Sequence, residues 1–166
     1  VHRVWLDPAN PTPFPPTLQA ILNADLILVG PGSLYTSIIP NLLVPDLVDA
    51  IKASRAYKFY ICNIATQKGE TDGYSCEDHV KTIERHTGAK LFDVVLANNR
   101  FDEKVPVEIE WVKTEKKDSH YQIYETDLVD KENPWRHNST KVAKTIIDLY
   151  MERTGPLSSR DSNSTI

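Results

Sequence analysis

The sequence predicts an α/β fold in which helices cover a mainly parallel sheet. Three short apolar runs alternate with stretches of helical period, and short links join several of them. This alternation is typical of right-handed crossovers between parallel strands. The loops that leave parallel strands open on one edge of the sheet, where ligands bind. The three runs are residues 26–29, 58–62 and 92–97.

The segment before the first run predicts a strand, a surface connection and a short helix. Residues 1–6 alternate Val and Leu with polar residues, which is a strand pattern, and residues 7–16 are rich in proline. Two prolines suit the first turn of a helix that Asn23 closes. The continuous apolar run 26–29 then predicts a strand covered on both faces.

A glycine turn and four hydroxyl groups follow this strand. Backbone N–H groups and hydroxyls at the carboxyl end of a parallel strand suit a phosphate group. The spacing fits neither a P-loop, which needs a lysine, nor the dinucleotide fingerprint. From spacing alone, a phosphate loop and a tight turn whose hydroxyls cap a helix are equal alternatives. The residues concerned are Gly30, Pro31, Gly32, Ser33, Tyr35, Thr36 and Ser37.

A long polar loop, residues 63–74, follows a predicted helix at residues 45–55 and the second strand. Within this loop Glu70 and Asp72 flank Thr71, which places two carboxylates close together. They could hold a metal, act as an acid–base pair or contact the hydroxyls of a sugar, and the alternative is a solvated turn. The length of the loop and its place at the ligand edge favour a function.

The next helix is predicted at residues 75–87, because Ser75 and Asp78 approach a capping box and a glycine follows the helix end. His79 and His86 lie on one face of this helix and are interpreted as a partly exposed flank without a metal.

The third strand is followed directly by Asn98, whose amide could read a base or a sugar edge, although asparagine also ends strands. Residues 107–112 and 121–126 predict two further strands, joined by a charged link at 114–120. A last helix is predicted at 138–151. The side chains expected to face inward from it are Val142, Ala143, Ile146 and Leu149.

Arg136 stands just before this last helix. A cation is unfavourable at the positive end of a helix dipole, and a bound phosphate would relieve that arrangement. The alternative is a surface arginine paired with Asp127 or Glu132.

Length and composition predict one domain, residues 1–154, and a disordered tail, residues 155–166. The net charge of −4 gives no indication of nucleic-acid binding, and no apolar run is long enough to predict a membrane span. Cys62 and Cys76 are too few for a disulfide framework and predict free thiols in the cytoplasm. No cofactor and no metal site are predicted, and a homo-oligomer is left open. Since the chain begins at Val1 without Met, we expect a piece of a longer protein.

Four motifs occur in order along the chain: ADLILVGPGSLYTSIIPNLLVP, CNIATQKGETDGYSCEDHV, FDVVLANN, and RHN before the last helix. Together they resemble the YvcK/CofD-like family over about residues 4–150. The glycine loop is similar to that of the gluconeogenesis-factor (YvcK) branch rather than the 2-phospho-L-lactate transferase branch.

This resemblance implies a Rossmann-like three-layer sandwich that binds the diphosphate group of a nucleotide. The ligand implied by the branch is UDP-N-acetylglucosamine. The implied role is regulation, without catalysis, of carbon flux to cell-wall precursors and of cell shape through a protein partner. The alternative is a CofD-like transferase that passes a phospho-group from a nucleoside diphosphate donor to a deazaflavin. By resemblance Gly30, Gly32, Ser33 and Thr36 belong to the phosphate loop, Asn98 is the strand-end asparagine, and Arg136 is the arginine of an R-H-D motif.

The chain departs from the family pattern at three places. Asn138 replaces the aspartate of the R-H-D motif, the segment after Asn98 is shorter than usual, and the family's first strand with its GGGTG loop has no counterpart. Residues 1–154 are therefore expected to be the C-terminal part of a nucleotide-binding domain, to bind ligand poorly alone and to leave apolar sheet surface uncovered. A third interpretation is a structural half-domain without a ligand of its own.

Overall fold

A parallel sheet of four strands forms the middle of the molecule in the computed structural model, which describes residues 1–115 and 121–155. The predicted tail and the middle of the predicted charged link, residues 156–166 and 116–120, lie outside the described residues. The sheet order follows the chain order, and every neighbouring pair is parallel. The predicted α/β fold with a mainly parallel sheet is confirmed. Its strands are β1 (Leu26–Val29), β2 (Tyr57–Ile61), β3 (Val94–Asn98) and β4 (Gln122–Thr126).

Helices cover both faces of this sheet. They are α1 (Pro15–Leu22), a π-helix at Leu34–Ile38 that continues into α2 (Ile39–Leu42), α3 (Leu47–Ala53), α4 (Cys76–Thr87) and α5 (Ser139–Thr154).

Side chains of the central strands point alternately into two separate cores. Tyr60 and Val95 pack with Ile83 of α4 on one face of the sheet. Phe59 and Val94 pack on the other face, with Ile146 of α5 nearby in the same core. Because each buried apolar side chain of this size contributes about 1.5–3 kcal/mol, strands β2 and β3 are fixed from both sides. The result is the three-layer sandwich that the resemblance implied.

The start and end of α4 are set by local sequence. The Ser75 hydroxyl accepts a hydrogen bond from the Asp78 backbone N–H (3.1 Å), and the Asp78 carboxylate accepts one from the Ser75 backbone N–H (3.0 Å). Gly88 ends the helix in the left-handed region, with φ of 67°. The predicted capping box is therefore present, and so is the predicted glycine stop.

Helix α5 also begins where predicted, because the Asn138 side chain accepts from the Lys141 backbone N–H (3.0 Å). Val142, Ile146 and Leu149 face the core, but Ala143 is exposed, so its predicted inward position is wrong. The apolar stripe of a helix follows steps of three and four residues, and Ala143 lies about 100° around the helix from Val142.

Two predicted strands are absent from the described residues. Residues 1–6 do not join the sheet and lie against α4 instead, where the Val4 backbone N–H donates to His86 Nε2 (3.3 Å). Residues 107–112 contribute only an isolated antiparallel bridge between Trp111 and Ala65. That segment crosses the loop after β2 rather than a sheet edge, so its alternating pattern reflects one partly covered face.

The glycine turn leads into a helix earlier than predicted. Residues 34–42 are helical, and the helix predicted at 45–55 is limited to Leu47–Ala53. Asp46, with φ of 65°, changes the chain direction between the two helical segments.

Strand β1 lies at the edge of the sheet, not in its interior. None of its four residues is fully buried, and Leu28 is 47% exposed. The predicted cover on both faces is only partial: Val29 packs against one core and Leu26 against the other, while Leu28 is left exposed. Its four apolar residues nevertheless match the expectation of uncovered apolar surface at this end of the sheet.

The end of β1 approaches the end of β2 so closely that only glycine fits there. Gly30 has φ of 87°, and a Cβ atom added to it would lie 2.7 Å from the Ile61 carbonyl oxygen. Gly69 has a similar φ of 81° but open space around it. Substitutions at these two glycines can therefore be compared. Both carry the energetic cost of a left-handed backbone, and only the one at Gly30 adds the steric cost of the close approach.

We expect Gly30→Ala to lower the free energy of unfolding clearly more than Gly69→Ala, by at least about 1 kcal/mol. Both variants force alanine into the left-handed region, and only the first drives a methyl group into a backbone carbonyl. Urea denaturation of the two variants and the parent measures the difference. Equal losses would show that β1 and β2 can move apart at this point.

Candidate ligand-binding cleft

A cleft of about 990 Å³ opens at the carboxyl edge of the sheet, where the loops after β1 and β2 meet two later segments. Its position agrees with the rule that ligands of open parallel sheets bind beyond the strand ends. Four of the residues predicted to bind ligand line it, namely Pro31, Gly32, Ser33 and Arg136. The other lining residues are Asn63, Ile64, Ala65, Thr66, Gln67, Pro106, Val107, Glu108, Ile109, Trp135 and His137.

Asn63 holds the glycine turn in place. Its side-chain amide donates to the Gly32 carbonyl oxygen (3.0 Å), and its side-chain oxygen accepts from the Gly32 backbone N–H (3.3 Å). One side chain thus binds both polar groups of one residue on the neighbouring loop. Sequence reasoning did not select Asn63, although its place as a polar residue directly after a buried strand is a usable signal.

A chain of hydroxyl hydrogen bonds runs along one side of the turn. The Thr36 hydroxyl donates to Ser33 Oγ (2.6 Å), and the Ser33 hydroxyl donates to Glu70 Oε2 (2.7 Å). Thr36 and Glu70 do not line the cleft themselves but determine how the Ser33 hydroxyl is oriented. The fold therefore brings the first loop and the carboxylate of the second loop together. Ser37 is exposed one turn further along and shares neither contact.

The two carboxylates of the second loop have separate environments. Asp72 is exposed and its carboxylate accepts from the Gly69 backbone N–H (2.7 Å), which closes a turn within the loop. Thr71 is fully buried and its hydroxyl oxygen accepts from the Gln67 backbone N–H (2.9 Å). Both residues thus shape the loop. Among the described residues, no group of three or more His, Cys, Asp or Glu side chains could hold a metal ion.

Arg136 lines the cleft with an exposed side chain. Within the described parts of the chain its guanidinium forms no ion pair, in contrast to the alternative that paired it with Asp127 or Glu132. Asp127 instead binds Lys141 (2.8 Å) and Arg100 (3.4 Å). The backbone of Arg136 is fixed, since its N–H donates to the Asn133 carbonyl (2.8 Å) and its carbonyl accepts from the Asp130 N–H (2.9 Å). A positive charge on a fixed turn is therefore available to a ligand.

His137, the next residue along, links the last helix to the second strand. Its Nε2 lies 3.1 Å from the Cys62 carbonyl oxygen, so this nitrogen carries the proton and donates it. Burial lowers the pKa of His137 to about 4, and the hydrogen bond to Cys62 only partly opposes that shift. His137 is therefore neutral at pH 7 and adds no charge to the cleft.

Asn98 is buried and has partners for both ends of its amide. The side-chain nitrogen donates to the Arg100 carbonyl (2.6 Å), and the side-chain oxygen accepts from the Leu128 backbone N–H (3.2 Å). It joins the loops that follow β3 and β4. Its amide braces these loops, which is the strand-ending alternative that the sequence left open.

The interpretation of His79 as a partly exposed flank is wrong. His79 is fully buried, its Nδ1 donates to the Ser75 carbonyl (2.8 Å), and burial lowers its pKa. Its ring lies edge-on to Tyr74 at 5.6 Å between centroids. His79 is thus a core residue of α4.

No single helix in residues 1–115 and 121–155 has both the length and the apolar character to cross a membrane. A bent pair, Leu34–Leu42 with Leu47–Ala53 at 73°, meets the criteria of length and composition alone.

Comparison with known proteins assigns the family. The model of the family described as 2-phospho-L-lactate transferase CofD matches residues 1–147. The chain belongs to the CofD family. Among curated members, it is 40% identical over 161 residues to the gluconeogenesis factor of Listeria monocytogenes, covering 93% of this chain and 50% of that protein. It is 39% identical over 165 residues to the gluconeogenesis factor of Bacillus subtilis, covering 92% of this chain and 51% of that protein.

Two solved structures are similar to this chain over most of its length. A crystal structure of a UPF0052-family protein from Bacillus halodurans has a TM-score of 0.73 and 39% identity, covering 82% of this chain and 47% of that one. A second crystal structure from this organism has a TM-score of 0.77 and 38% identity, covering 89% of this chain and 50% of that one. The predicted resemblance is confirmed. This CofD-family chain spans about half the length of these Listeria and Bacillus relatives.

The low pKa of His137 predicts a defined pH dependence of stability in this CofD-family chain. Since the folded pKa is about 4 and the usual value is about 6.5, the unfolded chain binds the proton first as the pH falls. The contribution of neutral His137 to the free energy of unfolding is therefore intact above about pH 6.5. It is lost as the pH falls from about 6.5 to about 4, and the loss amounts to about 3 kcal/mol at most.

His137→Gln, which keeps a side-chain N–H donor but does not titrate, serves as the comparison. Urea denaturation at several pH values between 7 and 4 should show a smaller decline for this variant than for the parent. Parallel declines would mean that His137 is protonated in the folded state or more exposed than its packing indicates.

Proposed function

We propose that this chain belongs to a regulator that binds a nucleotide sugar, UDP-N-acetylglucosamine, at the cleft described above. In this proposal the diphosphate lies between the glycine turn and Arg136. The regulator adjusts carbon flux to cell-wall precursors and cell shape through a protein partner. Its support is membership of the CofD family and similarity to proteins named gluconeogenesis factor.

The observation that carries the proposal is the guanidinium of Arg136, which forms no ion pair within residues 1–115 and 121–155 and lines the same cleft as the glycine turn. An arginine at a cleft wall without a carboxylate partner favours a bound anion, because its five N–H donors match phosphate oxygens. Gly32 presents no side chain to the ligand, and Ser33 supplies a hydroxyl at the same wall.

The remaining predicted residues have supporting roles in this proposal. Gly30 permits the close approach of the two strand ends, and Thr36 orients the Ser33 hydroxyl. Thr71 and Asp72 shape the second loop, and Asn98 braces the loops after β3 and β4. Ser37 is exposed on the helical segment that follows the glycine turn. Trp135 lines the cleft beside Arg136 and offers an aromatic surface for a base or a sugar ring.

A catalytic role is the second candidate, since the matching family model is described as a transferase. The two candidates differ in whether the ligand is consumed. Incubation of the full-length protein with UDP-N-acetylglucosamine, followed by chromatography of the nucleotide, separates them. A regulator leaves the nucleotide sugar intact, whereas a transferase releases a nucleotide when the acceptor is supplied.

Cytoplasmic location is part of the proposal. Its support is the pair of cysteines, Cys62 and Cys76, which are both buried as free thiols in a chain that carries no other cysteine. A reducing compartment is the usual setting for such a pair.

The test of the ligand assignment is substitution of Arg136. Arg136→Ala in the full-length protein should weaken the binding of UDP-N-acetylglucosamine about ten- to a hundredfold, because a charge-assisted hydrogen bond contributes about 1.5–3 kcal/mol. Arg136→Lys should lose less but still measurably, because an ammonium group does not bind two phosphate oxygens in a fork. Isothermal titration calorimetry gives the dissociation constants.

The matched control is Arg55→Ala, which removes an exposed arginine that lines a groove separate from the cleft. It should bind the nucleotide sugar within about threefold of the parent, which separates a local contact from a change of net charge. An Arg136→Ala variant that binds like the parent would refute the assignment of Arg136 to the diphosphate.

A further inference from the structure

The Ser33 hydroxyl at the cleft wall is already engaged by an anion of the protein itself. Its proton is donated to Glu70 Oε2 at 2.7 Å, and its oxygen accepts the Thr36 proton at 2.6 Å. A serine hydroxyl has only one proton to donate. In this arrangement neither the Ser33 nor the Thr36 hydroxyl has a proton left for a phosphate oxygen.

A phosphate that contacts Ser33 needs the one hydroxyl proton that Glu70 now accepts. The acceptor in the present contact is a carboxylate oxygen, which has the same charge sign and the same hydrogen-bonding role as a phosphate oxygen. Two anions cannot share one hydroxyl proton, and a carboxylate left in place would repel an incoming phosphate. Ligand binding and the Ser33–Glu70 hydrogen bond are therefore alternatives.

We propose that Glu70 is a specificity-determining residue that occupies the anion position beside Ser33 until a phosphate group displaces it. This inference rests on the proposed function, because it concerns the same site. It gives Glu70 a role opposite to that of a ligand contact: its carboxylate weakens anion binding rather than contributing to it.

The geometry of the second loop allows this exchange without rearranging the backbone. The turn is held by contacts that do not involve the Glu70 side chain, since Thr71 accepts from the Gln67 N–H and Asp72 accepts from the Gly69 N–H. The Glu70 side chain is only partly buried. Rotation of this one side chain into solvent is enough to free the Ser33 hydroxyl.

Displacement also selects among ligands. A neutral acceptor such as a sugar hydroxyl would replace a charge-assisted hydrogen bond by a weaker one. A diphosphate carries more charge than the carboxylate and gains Arg136 in addition, so it can compete for Ser33. Glu70 thus sets a minimum charge for the group that enters at this wall.

The test uses inorganic pyrophosphate as the probe and calorimetry on the full-length protein. Glu70→Gln keeps the size of the side chain and removes its charge, so pyrophosphate should bind about five- to tenfold more tightly than to the parent. The matched control is Glu108→Gln, which removes a carboxylate that also lines the cleft but pairs with Lys68 (3.3 Å). Glu108→Gln should raise the affinity for pyrophosphate clearly less than Glu70→Gln does.

A double-mutant cycle shows whether the effect passes through Ser33. In a Ser33→Ala background, Glu70→Gln should improve pyrophosphate binding no more than Glu108→Gln does in the parent. Equal gains from the two glutamates in the parent, or weaker binding by Glu70→Gln, would overturn the role of Glu70 while leaving the ligand site itself intact. Loss of all pyrophosphate and UDP-N-acetylglucosamine binding in parent and variants alike would instead refute the proposed function together with this inference.

Discussion

The contact between the ends of β1 and β2 is the constraint on which the cleft depends. The chain leaves β1 through Gly30, whose backbone comes within reach of the Ile61 carbonyl, and two residues later the Asn63 amide binds both polar groups of Gly32. A side chain at the first point or a missing amide at the second would let the loop move. Because Ser33 follows directly, its place at the cleft wall is fixed by these two contacts, and Glu70 is positioned through Ser33.

Much of the fold follows from the sequence because its signals are local. The capping box and final glycine of α4 and the Asn138 cap of α5 act within a few residues, and the structure contains them as predicted. Strands β1, β2 and β3 follow from apolar runs, and β4 lies within the strand predicted at residues 121–126. The errors arise where a pattern has two structural meanings. Apolar residues at 26–29 fit a central strand as well as an edge strand, and the alternation at 107–112 fits a segment lying across a loop.

The site could be predicted only in part, for a related reason. Its general place follows from the rule that the loops of parallel strands open on one edge of the sheet. The glycine turn follows from the residues after the first strand, and Arg136 from its position before the last helix. The pairing of Ser33 with Glu70 and the clamp by Asn63 join residues about thirty or more positions apart, through side-chain geometry that periodicity does not encode. Asn98 illustrates the converse, since its position was predicted but both ends of its amide are committed to backbone groups.

The exposed edge of β1 has a consequence for the behaviour of this chain in solution. Within the described residues, one side of the strand is paired with β2 and the other meets no strand, while Leu28 is 47% exposed. Neither a charged residue nor a proline interrupts its four residues, and those are the usual means of keeping an edge from pairing with another molecule. Such an edge favours strand-to-strand association between copies. Purified samples of this chain are therefore expected to aggregate as the concentration rises, and a charged substitution at Leu28 is the change most suited to keeping them monodisperse.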